Sequence, residues 1–378
     1  MYLQRRITPD IERHLFSGKA IVIYGPRRVG KTTLVREILK KYQGQRRTLY
    51  LLGDDLVVQK NLSTQNAVLL KNYLGDAELV VIDEAQRIKN IGINLKIIID
   101  SYPDIQIIAT GSSSFDLANE ITEPLTGRKW EYFLPPLTLA ELKPLYGQQE
   151  LYGLLENLVN FGFYPEVITG DSRDARTRLE EITRDYLFKD VLAFEGQKNS
   201  EFVFKLLQLL AFQVGHEVSY NELAKTLEVS RRLVEKYIYL LEESFVLFRL
   251  GPLRRNLRRE VGKNRKIYFW DTGIRNALIQ NFNDLTLRQD IGQLWENFCI
   301  GERNKMLKVE RLYRNQYYWR TYDGKEVDYI EEYDGAFHAY EVKWRTAKLK
   351  NPKAFLSTYT NSTIELVNRD TFWGFILK

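Results

Sequence analysis

Three short apolar runs, Ala20 to Tyr24, Leu79 to Ile82 and Ile105 to Ala109, mark the first third of the chain as strands of a buried parallel sheet. The first runs through a glycine-containing loop into a helical pattern, and the second ends abruptly in Asp83 and Glu84. Pro135 and Pro136 close this region, and residues 141 to 200 then read as polar and helical, without repeats or low complexity. Between residues 201 and 250 three helix patterns follow, separated by short turns. Gly215 stands after the first, Ser219 with Glu222 forms a capping box for the second, and Ser230 caps the third before a strand-like "FVLFRL". In the last hundred or so residues the period shortens to strand-like runs around Asp323-Gly324 and Asp334-Gly335, both two-residue hairpin signals.

At 378 residues the chain exceeds what one core usually organises, so two or three domains are expected. A hydrophobic content of 44% identifies a folded protein rather than a disordered one. The opening "MYLQRRITPDIERHLF" lacks the apolar core of a signal peptide, and no apolar run approaches the roughly 18 residues of a membrane span. Cys299 is alone, which excludes an intrachain disulfide and a cysteine-built zinc site, so the cytoplasm is the expected location. The net charge of +6 permits a nucleic-acid partner without requiring one.

The loop "GPRRVGKTT" fits G-x-x-x-x-G-K-[ST] at Gly25, Gly30, Lys31 and Thr32. That spacing wraps backbone N–H groups around phosphates at a helix N-terminus, with Lys31 reaching the β and γ phosphates and the Thr32 hydroxyl ligating Mg²⁺. Gly25, Pro26, Arg27, Arg28, Val29, Gly30, Lys31, Thr32 and Thr33 are therefore candidate ATP contacts. At the end of the second strand Asp83 is expected to hold the Mg²⁺ shell and Glu84 to polarise the attacking water. Thr110 or Ser112, in "TGSSS", is placed to sense the γ-phosphate or water, although a hydroxyl-rich turn explains the run as well. Arg128 is a candidate arginine finger for a neighbour's site, or a plain surface arginine.

The helix from Arg231 follows the element order of a winged helix-turn-helix. It would present Arg231, Arg232 and Lys236 to DNA while Leu233, Tyr237 and Leu240 or Leu241 pack inward. Residues 249 to 266 carry Arg249, Arg254, Arg255, Arg258, Arg259, Lys263, Arg265 and Lys266 against Glu260 alone, a stripe suited to phosphate contacts. Glu235, Glu242 and Glu243 keep open a role in protein packing or oligomer contacts.

In "FHAYEVKW" Glu341 and Lys343 project together from one face of a strand. With Asp334-Gly335 as a tight turn, Tyr333 faces Ala336, Asp328 faces Glu341 and Glu326 faces Lys343. Opposed carboxylates about 5 Å apart repel unless a cation lies between them, which a divalent metal would supply; a Glu326–Lys343 ion pair is the simpler reading of the lysine. Upstream, "GQLWENFCIGERNKML" is helical, with Leu294, Trp295 and Phe298 on its apolar stripe and Glu296 beside it, within reach of the sheet. His216 and His338 have no metal-pair spacing, and Asp271 in "FWDTGI" reads as a helix cap or turn former.

Taken together, "GPRRVGKTT", "VVIDEAQRI", "IATGSSS", "LTGR", "FGFYPEV", "DYLFKDVL" and "YFWDTGI" give the chain a resemblance, over nearly its whole length, to prokaryotic AAA+ ATPases that pair a P-loop domain with a C-terminal domain of unknown function. The helix acid, strand aspartate and Glu-x-Lys further resemble the PD-(D/E)xK nuclease arrangement. By that resemblance Asp328 and Glu341 would hold Mg²⁺, Glu296 would complete the metal shell and Lys343 would orient or activate water. "VDY" departs from the pattern, since a proline often precedes that aspartate in nucleases.

The expected architecture is an α/β P-loop domain (residues 1–140), a helical connector (141–200), a winged helix-turn-helix (201–262) and an α+β, restriction-endonuclease-like domain (263–378). The expected activity is Mg²⁺-dependent ATP hydrolysis by a homo-oligomer that binds DNA, with DNA cleavage open. The alternative is a nucleotide-controlled switch in a signalling or defence assembly, with a non-catalytic C-terminal docking domain.

Overall fold

The apolar run Ala20–Tyr24 is β1 of an all-parallel five-stranded sheet, with β2 (Thr48–Leu52), β3 (Leu79–Asp83), β4 (Gln106–Gly111) and β5 (Lys129–Phe133) in the order β2-β3-β4-β1-β5. This computed structural model describes residues 2–112, 124–186, 200–253, 264–321, 324–345, 348–349 and 352–377. Helices α1 (Thr8–His14), α2 (Lys31–Tyr42), α3 (Leu56–Asn61), α4 (Ala67–Leu74) and α5 (Ile91–Ser101) accompany the sheet. β1 and β3 read as continuous apolar runs because residues facing either side are buried: Ala20, Val22, Val80 and Ile82 join the core under α4 and α5, while Ile21, Ile23 and Val81 are equally covered. The chain divides into two units, Met1–Leu137 with Glu243–Phe245, and Thr138–Glu242 with Val246–Lys378.

The second unit begins with α6 (Leu139–Phe161), opened by a capping box between Thr138 and Glu141 and interrupted at Gly147. It continues with α7 (Pro165–Ile168), α8 (Ala175–Tyr186) and α9 (Ser200–Phe212). Then come β6 (Glu217–Val218), α10 (Tyr220–Thr226), α11 (Arg231–Glu243), β7 (Leu247–Pro252) and β8 (Arg265–Phe269). The Ser219 side chain accepts from Glu222 N, one half of the expected capping box, and Ser230 caps α11 through Leu233 N. On α11 the inward face is Val234, Tyr237, Ile238, Leu240 and Leu241; Leu233, expected inside, is only half-buried.

β6, β8 and β7 pair antiparallel in that order, so β8, beyond residue 262, shares a sheet with the strands that flank α10 and α11. α12 (Thr272–Leu278) is capped by Asp271, as expected, and the same carboxylate accepts from Phe163 N. α13 (Ile291–Val309) precedes β9 (Asn315–Arg320), β10 (Glu326–Tyr333) and β11 (Ala336–Val342). α14 (Pro352–Thr358), β12 (Ser362–Val367) and α15 (Phe372–Ile376) complete the unit. Because β7 also pairs with β9 in parallel, the two strand groups fuse into one seven-stranded sheet, β12-β11-β10-β9-β7-β8-β6. The expected winged-helix and C-terminal segments therefore lie within one unit. Asp334 (φ 51°) and Gly335 (φ 72°) make the tight turn of the β10–β11 hairpin, where positive φ at both positions suits Asp-Gly, and Tyr333 pairs with Ala336 as counted.

Candidate functional site

The P-loop emerges at the carboxyl end of β1, where ligands gather in parallel sheets. Gly25 is obligatory there, since a β-carbon would stand 2.1 Å from the Leu134 carbonyl oxygen. Gly30 (φ 95°) turns the loop into α2. Lys31 is buried and donates to the carbonyls of Gly25 (2.8 Å) and Pro26 (2.7 Å), so its ammonium lies within the loop's own curl. Arg5 supports the loop from outside the motif, donating to Val29 O at 2.7 Å and to Pro135 O at 2.6 Å.

Strand order places β4 between β1 and β3, and so sets Thr110 beside Asp83. Asp83 is buried and accepts hydrogen bonds from Thr32 Oγ1 (2.7 Å), from the Tyr50 hydroxyl (2.6 Å) and from Thr110 Oγ1. Burial and the bond to Asp83 push the Tyr50 hydroxyl up to about 12, so it stays a donor to the carboxylate. Glu84 holds a left-handed conformation (φ 53°, ψ 43°) and its N–H donates to Thr110 Oγ1 at 3.1 Å. Gln86 Nε2 reaches both Glu84 Oε2 (2.6 Å) and Ser112 Oγ (3.1 Å), linking the acid to the end of β4. Thr33 is exposed on α2 and Arg28 on the loop, with Arg27 half-buried.

Arg128 is not part of this constellation. It precedes β5, whose Lys129 pairs with Ala20, at the amino ends of the strands, about 16 Å or one strand length from the P-loop. There it forms an exposed ion pair with Asp100 at 2.6 Å. Sequence reasoning missed Arg5, Tyr50 and Gln86; only Gln86, two residues beyond Glu84, had a local signal.

In the second unit Glu296, Glu326 and Asp328 converge on one ammonium. Buried Lys266, on β8, lies 3.2 Å from Glu296 Oε1, 2.5 Å from Glu326 Oε1 and 4.0 Å from Asp328 Oδ1. Tyr268 donates to Glu296 Oε1 at 2.7 Å. Asp328 Oδ2 accepts from Lys343 Nζ (2.8 Å) and from Val342 N (2.9 Å). The expected Glu326–Lys343 pair is therefore replaced: Glu326 goes to Lys266 and Lys343 to Asp328, because β8 brings a closer cation than the hairpin partner. Glu341 is buried at the next position of the register beyond Tyr329 and Tyr340.

Burial pushes the Glu296 carboxyl up, and although Lys266 pulls the other way, Asp328 and Glu326 add to the rise, leaving it at about 7. For Lys266 burial alone would lower the value, but its three carboxylates outweigh that and raise it. Among the described residues no three His, Cys, Asp or Glu side chains are grouped to hold a metal ion. Lys266 and Lys343 thus set positive charge beside Glu296, Glu326 and Asp328.

Arg231, Arg232 and Lys236 are exposed on α11, Arg231 paired with Glu235 at 2.8 Å. Arg254, Arg255, Arg258 and Arg259 lie outside the described residues. Among the described residues no helix is long and apolar enough to cross a membrane.

A phosphate-binding loop between β1 and α2, with an acidic strand end beyond one intervening strand of a parallel sheet, defines an AAA-like P-loop domain. Residues 17–143 match the family described as AAA domain. Residues 152–285 and 291–370 match two domains of unknown function, DUF8612 and DUF4143. An uncharacterized protein of Mycobacterium tuberculosis is 25% identical over 91% of this chain and 74% of its own length. One from Methanocaldococcus jannaschii is 24% identical over 96% of this chain and 87% of its own. A solved structure of AMPPCP-bound DnaA from Aquifex aeolicus is similar at 17% identity, with a TM-score of 0.30, over 63% of this chain and 86% of that one.

Proposed function

We propose that the chain is a Mg²⁺-dependent ATPase whose second unit engages DNA through a winged helix-turn-helix and uses its C-terminal sheet for docking rather than cutting. The observation that carries the ATPase is the buried Asp83 carboxylate bonded to Thr32 beside Lys31. These donors fit a Mg²⁺–nucleotide: Thr32 and Asp83 would hold the ion, which when bound neutralises phosphate charge. Lys31 exchanges its two loop carbonyls for phosphate oxygens. Glu84, positioned by Gln86, takes the proton of the attacking water. Arg128, at the far end of the strands, does not reach the phosphates bound in its own chain.

For the second unit the antiparallel order β6-β8-β7 around α10 and α11 supports the winged-helix reading, and Arg231, Arg232 and Lys236 supply its exposed charge. Lys266 within the carboxylate cluster favours the switch-and-docking reading over cleavage. The test is phosphate release from ATP with and without duplex DNA, alongside incubation of plasmid with Mg²⁺ or Mn²⁺. Turnover should fall at least about 100-fold in Lys31→Ala and in Asp83→Asn. Retained turnover sinks the ATPase reading. Metal-dependent plasmid cutting that disappears in Glu341→Ala and Lys343→Ala sinks the docking reading.

A further inference from the structure

Neighbouring residues of β8 point to opposite faces of the sheet. Lys266 enters the buried cluster, whereas Arg265 turns into a cleft of about 330 Å³ at the base of the helix-turn-helix. Ser219 and Asn221 at the start of α10, Arg231 on α11, Arg249 on β7 and Asn264 complete the donor-bearing wall. Two of the three guanidinium groups are already balanced: Arg231 by Glu235 at 2.8 Å, and Arg249 by Glu242 at 2.7 Å. Arg265 has no ion-pair or side-chain hydrogen-bond partner among the described residues, and it lies over Gly251, where a β-carbon would come within 3.0 Å of its Nη1. Among the described residues the cleft thus presents one guanidinium without a carboxylate partner, beside hydroxyl and amide donors, at a volume fit for a single nucleotide.

We propose that this cleft binds the phosphate ester of one nucleotide unit, with Arg265 as the charge that meets it and Arg231 and Arg249 as donors held in place by their glutamates. A guanidinium fork suits a phosphate's paired oxygens, and a single net charge suits the singly charged phosphodiester of a strand better than free phosphate. The site rests on the nucleic-acid reading above and adds Arg249 and Arg265 to the exposed α11 residues. The same chemistry also admits a free nucleotide.

The test measures binding of a fluorescent 20-base-pair duplex across a salt series, and of dAMP by calorimetry. Every sample carries Lys31→Ala so that the P-loop takes no phosphate. Arg265→Gln should weaken duplex binding about tenfold and reduce the magnitude of the salt slope by about one. Arg265→Lys, which keeps the charge but not the fork, should recover most of the slope and only part of the affinity. If the duplex binds and neither affinity nor slope responds to Arg265→Gln in a protein with unchanged circular dichroism, the site is wrong while the helix-turn-helix reading stands. No duplex binding, with dAMP binding that depends on Arg265, keeps the site and removes the nucleic-acid reading. Binding of neither probe overturns both.

Discussion

Replacing Lys266 with methionine keeps most of the side chain's volume and removes the ammonium that Glu296, Glu326 and Asp328 share at 3.2, 2.5 and 4.0 Å. Lys266 is 1% exposed and Glu296 is 9% exposed, so water does not restore the lost charge. Removing one partner from a buried charge cluster costs about 3–5 kcal/mol. In a unit of this size that lowers the melting temperature by about 10 °C. The pH dependence distinguishes this cause from a packing defect. The Glu296 carboxyl sits at about 7 in the folded chain against 4.5 for an ordinary glutamate. A folded value raised in this way contributes stability that is fully present below about 4.5 and is lost as pH rises through about 7. In Lys266→Met a proton on Glu296 replaces the missing positive charge in acid. The loss should therefore be small at pH 5 and largest at pH 8. Urea unfolding followed by tryptophan fluorescence reports it, with buried Trp295 and Trp319 as probes in that unit. A loss below about 1 kcal/mol at pH 8, or one equal at both pH values, would refute the placement of Lys266 as the cluster's counterion.

Two further substitutions address the nucleotide site. Gln86→Leu removes both the bond to Glu84 and the bond to Ser112, and should lower kcat about tenfold with KM for ATP nearly unchanged, because Gln86 positions the acid rather than touching substrate; a kcat within twofold of wild type would show that Glu84 is held by other means. Arg5→Ala deletes two buried charge-assisted bonds to Val29 and Pro135, and should destabilise the first unit by about 3 kcal/mol and raise KM for ATP. Unchanged thermal unfolding together with unchanged KM would remove Arg5 from the loop's support.

Local chemistry alone decided the parts of this protein that a short stretch can encode. The spacing of Gly25, Gly30, Lys31 and Thr32 specifies a loop whose turn and lysine bonds lie within nine residues, and Asp83 with Glu84 follows directly from an apolar run that stops. Asp334-Gly335 fixes a two-residue turn, and with it the register that runs from Tyr333 with Ala336 to Tyr329 with Tyr340. What sequence could not decide were pairings between distant segments. That an ammonium stands among Glu296, Glu326 and Asp328 depends on Lys266, 30 residues before Glu296 and invisible as a partner until β8 pairs with β7 and β6. That Arg128 lies at the far end of the sheet from its own P-loop likewise follows only from the parallel pairing of β5 with β1. The P-loop is legible because its bonds close over a few residues. The charge cluster is not, because its cation arrives through the strand order, which is settled by the burial of whole faces rather than by any local pattern.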